Sequence, residues 1–127
     1  MKQNMLCLLL CLTLAGFVSD VYSKELVREF TGSGNSTTAE FEVAAPWVLD
    51  WRVSGEFTGS LAMQVDLIKS PGSEYVGKVV ETKWVSDGVR LFDEGGRYRF
   101  KVSSTFANWT LRVVQLSREE AKAYTPK

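Results

Sequence analysis

Trp47-Val48-Leu49-Asp50-Trp51-Arg52-Val53 is the stretch that decides the fold class of this chain. Trp47, Leu49, Trp51 and Val53 share one parity, with Asp50 and Arg52 on the other. A strand sends successive side chains to opposite faces, so this run carries one apolar face and one polar face. The same period of two appears on both sides of it. Ala39, Phe41 and Val43 alternate with Glu40 and Glu42. Leu61, Met63, Val65 and Leu67 alternate with Gln64 and Asp66. Tyr98, Phe100 and Val102 alternate with Arg97, Arg99 and Lys101, and Trp109, Leu111 and Val113 follow. Such alternation marks antiparallel strands with one face on a core and the other in water.

The punctuation between these runs agrees. Gly32-Ser33-Gly34-Asn35, Ser54-Gly55, Gly59-Ser60, Ser70-Pro71-Gly72-Ser73 and Asp93-Glu94-Gly95-Gly96 all supply turn chemistry. The Gly95-Gly96 pair predicts a hairpin between residues 89–92 and 97–102. About seven or eight short strands in about 90 residues predict an all-β fold, an antiparallel β-sandwich, since one open sheet would leave its apolar face wet. Ser117-Arg118-Glu119-Glu120 has the capping-box pattern. The residues from Ser117 onward therefore read either as a short C-terminal helix or as a frayed tail.

Residues 1–23 read as a secretory signal peptide. Lys2 gives the positive start, residues 5–18 the apolar stretch, and Val21 and Ser23 the small-residue cleavage site before Lys24. The apolar stretch is about 14 residues, where a spanning helix needs about 20, so no membrane span is expected after signal removal. Neither cysteine has the small residue before it that a lipoprotein leader requires. The expected organisation is a signal peptide over 1–23, a β-sandwich domain over 24–116 and a tail or short helix over 117–127.

Both cysteines, Cys7 and Cys11, fall inside the leader, and the chain has no histidine. The body therefore carries no thiol, disulfide or imidazole, which removes thiol redox chemistry, most zinc sites and the usual hydrolytic triads. Fifteen basic and fifteen acidic residues leave no net charge to draw the chain onto nucleic acid. A small exported domain without disulfides fits a bacterial periplasmic or secreted protein. Asn35-Ser36-Thr37 and Asn108-Trp109-Thr110 are glycosylation triplets that matter only in a host that uses them.

No catalytic residues, metal site or cofactor are expected. Asp93-Glu94 and Glu119-Glu120 are adjacent acids whose side chains point apart, and Ser36, Thr37 and Thr38 have no neighbouring base. Asp87-Gly88 and Asp93-Glu94-Gly95 lack the alternating acid spacing of a calcium loop.

The residues expected to bind a ligand are Trp84, Tyr75, Arg97 and Arg99. Trp47, Trp51 and Trp109 lie in phase with core positions, whereas the parity around Trp84 is mixed. Trp84 with Tyr75 forms either a displayed aromatic platform or a cap on the open end of the sandwich. Arg97, Arg99 and Lys101 form a basic stripe that either contacts phosphates or acidic sugars, or pairs with Glu40, Glu42, Asp50 or Asp66 across strands.

Gly32-Ser33-Gly34-Asn35-Ser36-Thr37-Thr38, Phe41-Glu42-Val43 and Trp47-Val48-Leu49-Asp50-Trp51 together resemble the opening of small exported bacterial β-sandwich domains. Their closing strands look like the runs from Gly96 to Val102 and from Trp109 to Val113. The resemblance covers most of the body and concerns turns and core, so it implies architecture and export but no activity.

The function expected is a non-catalytic exported binding or accessory module for a glycan or protein partner. The alternative is an inhibitor of a secreted or periplasmic hydrolase, inserting loops 32–38, 70–78 and 93–96 from one end of the sandwich.

Overall fold

The computed structural model describes residues 25–56 and 59–124, so the expected signal peptide lies outside the described residues. The strands are β1 (Glu25–Ser33), β2 (Ser36–Thr37), β3 (Phe41–Val43), β4 (Trp47–Ser54), β5 (Ala62–Lys69), β6 (Tyr75–Thr82), β7 (Ser86–Phe92), β8 (Gly96–Thr105) and β9 (Asn108–Gln115). A helix α1 (Arg118–Ala121) and a 3₁₀ turn (Lys122–Tyr124) follow. The first sheet has the order β1-β9-β4-β7 and the second β2-β8-β5-β6, with β3 also pairing with β8. All pairings are antiparallel. The all-β sandwich is the fold.

Alternation does what the sequence implies. Trp47, Leu49 and Val53 of β4 and Trp109, Leu111 and Val113 of β9 are buried against Met63, Val65 and Leu67 of β5 and Tyr98, Phe100 and Val102 of β8. Trp51 keeps this inward parity but is only partly buried, packing on the margin of the core. Its ring lies over Gly88 on the facing edge strand, where a Cβ would fall 2.7 Å from the indole. The gap left by a glycine accommodates the ring, and the edge position leaves part of it wet.

Thr38 explains the second threonine of the opening motif. Its N–H donates to the Phe100 carbonyl at 2.9 Å, and its Oγ1 accepts from the Phe100 N–H at 3.0 Å. In the link from β2 to β3, a side chain thus supplies a ladder bond to β8 and satisfies a buried donor that would otherwise be costly to leave unpaired.

The expected hairpin between residues 89–92 and 97–102 does not form. β7 pairs with β4 in the first sheet, whereas β8 pairs with β5, β2 and β3 in the second. Residues 93–95 cross from one sheet to the other. Gly95 serves close approach here, because a Cβ on it would lie 2.6 Å from the Val43 carbonyl oxygen. Tyr98 ties down the same crossing, its hydroxyl donating to the Glu94 and Gly95 carbonyls at 3.3 and 3.2 Å.

The C-terminal segment is helical and docked. Ser117 Oγ accepts from the Glu120 N–H at 3.1 Å, and Glu120 Oε1 accepts from the Ser117 N–H at 2.8 Å, closing the capping box. Leu116 and Ala121 bury against Val48 on the outer face of the first sheet, with Leu91, Val114 and Tyr124 around them. Packing of this apolar patch stabilises a helix too short to persist alone.

Candidate functional site

The sequence-derived candidates separate into two places. Tyr75 is 61% exposed at the start of β6. It stands opposite Ile68, which stands opposite Arg99, so Tyr75, Ile68 and Arg99 form one row on the outer face of the second sheet. Arg97 lies on the same face, 3.5 Å from Glu42 in an ion pair. Trp84 is at the other end of β6, nine positions on, which is about 30 Å at strand spacing. Tyr75 and Trp84 therefore do not share a site.

The basic stripe has acidic neighbours. Besides the Arg97 pair, Lys101 stands opposite Asp66, and Lys78 is 3.1 Å from Glu81. Asp50 belongs to the other sheet, and Glu40 accepts a hydrogen bond from Ser70 instead. The exposed Arg97 pair contributes little to stability, and among the described residues no ion pair reaches Arg99 or Lys101.

Trp84 is 69% exposed on the turn from β6 to β7. Its N–H donates to Thr82 Oγ1 at 3.1 Å, and the Thr82 and Ser86 hydroxyls both donate to its carbonyl at 3.1 Å. The backbone is pinned from both flanks while the ring stays in water. Val85, the next residue, is exposed as well, and so is Phe106 on the β8–β9 turn at the same end of the sandwich.

Val85 also lines a groove of about 630 Å³ on the outer face of the first sheet. Register builds this groove. Thr31 of β1 faces Thr110 of β9, Thr110 faces Arg52 of β4, and Arg52 faces Asp87 of β7. Their strand neighbours Val53, Trp109 and Leu111 point into the core, so these four side chains point out. Asn108, opposite Ser54, lies in the adjoining row. Among the described residues, no ion pair joins Arg52 to Asp87.

The fold perturbs the ionisation of Tyr98. Burial, and then the neighbouring Glu94 carboxylate, push its phenol above its ordinary value. It sits at the opposite end from the groove, against the 93–95 crossing. Among the described residues, no three acidic side chains converge as a metal site would require. No described helix is long and apolar enough to cross a membrane.

Thr31, Arg52, Asp87, Asn108 and Thr110 were not legible as a group in the sequence. Arg52 reads there as the polar face of a strand, Asp87 as an acidic turn and Asn108 as part of a glycosylation triplet, and pairing register alone assembles the group.

A scan against models of protein families finds no match to the chain, and a search of curated proteins finds none.

Proposed function

We propose that this chain is an exported, non-catalytic binding module that holds a glycan or protein partner at the end of the sandwich bearing Trp84. The observation that carries the reading is the display of a large aromatic ring, 69% exposed, on a turn whose backbone is fixed by three side-chain hydrogen bonds. Exposing such a ring forgoes the hydrophobic gain of burying it, and a pre-ordered aromatic is the kind of residue that anchors interfaces. The adjoining groove adds a concave surface beside that anchor.

The inhibitor alternative has less support. It needs loops 32–38, 70–78 and 93–96 at one end. The turn around Gly34 lies at the Trp84 end, with Ser33 opposite Asn108, whereas the 70–74 and 93–95 connections lie at the other.

Trp84→Ala should weaken retention of the partner about 30-fold, as expected for a hot-spot aromatic, while the thermal melt stays within about a degree of the parent. Retention from culture or periplasmic fluid on the immobilised protein, with a melt on the same variant, measures both. A lowered melt with unchanged retention would mean that Trp84 caps the core instead. Export itself predicts that the secreted form begins at Lys24 and contains no thiol. Terminal sequencing and thiol titration check this, and a retained leader would refute it.

A further inference from the structure

We infer that the groove takes a neutral, hydroxyl-rich oligosaccharide lying across the strands of the first sheet. This deepens the binding reading above and rests on it. Thr31, Thr110, Arg52 and Asp87 form a straight transverse row over β1, β9, β4 and β7. Four adjacent strands span about 14 Å between the outer two, long enough for more than one sugar ring.

The chemistry of the row suits a ligand that both donates and accepts at closely spaced points. Arg52 offers only donors and Asp87 only acceptors, while the Thr31 and Thr110 hydroxyls and the Asn108 amide offer both. Among the described residues, neither Arg52 nor Asp87 spends its charge on an ion pair within the protein. Sugar hydroxyls have this mixed demand, and charged ligands do not. One cation and one anion in the row cancel, so neither a polyanion nor a polycation is favoured along its length.

Apolar surface is present too, from Val53 and Trp109 in the lining and from Val85 at one end. Val85 lines the groove beside Asp87, and Trp84 is its neighbour on the turn. The C–H face of a terminal sugar ring packs on such a surface while its hydroxyls reach the polar row.

The test uses the exported chain, with neutral tetra- to hexasaccharides of β-glucan, xylan, mannan and chitin, an acidic oligogalacturonate, and the corresponding monosaccharides as probes. Calorimetric titration should show binding of at least one neutral oligosaccharide, weak dependence on salt, and much weaker binding of its monosaccharide. Arg52→Ala and Asp87→Ala should each weaken that binding about tenfold or more, the cost of a lost charge-assisted hydrogen bond, with unchanged melts. Absence of binding to every neutral glycan overturns the inference, as does binding that survives both substitutions or that prefers oligogalacturonate with a steep salt dependence. If no glycan binds but Trp84→Ala still abolishes retention of a protein partner, the glycan assignment fails and the binding module stands. If Trp84→Ala leaves retention untouched as well, both fall.

Discussion

Trp47→Ala should cost about 3 to 5 kcal/mol of folding stability, the upper range for truncating a buried aromatic. Trp47 is fully buried, and its ring stacks on Phe92 at 4.1 Å and 12°. Phe41 and Tyr98 meet it at 5.8 and 5.9 Å. Its indole N–H also donates to the Glu94 carbonyl at 2.8 Å. Truncation therefore opens a cavity where the two sheets meet and frees the crossing that Tyr98 also holds. For a domain with about 5 to 15 kcal/mol in hand, such a loss leaves a large unfolded fraction. Equilibrium urea unfolding of Trp47→Ala beside Trp51→Ala gives the check. Trp51 is only partly buried, so its truncation should cost distinctly less. Equal losses would contradict the packing described.

Gly32→Ala is the second large effect expected, at about 1 to 3 kcal/mol. Gly32 lies directly opposite Trp109, and a Cβ there would fall 2.6 Å from the buried indole ring. The ring has little room to yield, because its N–H donates to the Gly34 carbonyl at 3.1 Å and its other side is in the core. The added methyl should thus displace a tryptophan, and Trp109→Leu in the same chain should recover part of the loss. Urea midpoints for the single and double variants measure the coupling. A Gly32→Ala chain as stable as the parent would show that the strands separate at no cost, against the packing seen here.

Much of this fold was legible because its signals are local. Period two in β4, β5, β8 and β9 follows from each strand having one wet and one dry face. Ser117 and Glu120 announce their helix because a capping box needs only residues three apart. β1 was hidden for a physical reason. A register shift between Leu26 and Arg28 breaks its parity, and Arg28 lies over the Phe30 ring at 5.1 Å, so a charge occupies an inward-phase position. The Gly95-Gly96 pair misled for a related reason. A glycine looks the same whether it turns a hairpin or admits a neighbouring backbone, and only the partner strands decide.

The candidate site was half legible. Trp84 stood out because neither parity around it is cleanly apolar, and the structure puts it on a turn. Arg52, Asp87, Thr31 and Thr110 come from four different strands, and no spacing along the chain encodes their meeting.

The position of β9 carries a consequence for how the chain reaches this state. β9 is the last strand in chain order, yet it lies between β1 and β4 in the first sheet. Among the described residues β1 has no other strand partner, and its first residue, Glu25, pairs with Gln115. During synthesis the ribosome must release residues 108–115 before the first sheet can close at all. Contacts so distant in sequence also make closure slow, since a long loop must be ordered before any of them forms. The nascent chain consequently emerges with its first sheet still open, and β1 waits for a partner until the last strand arrives.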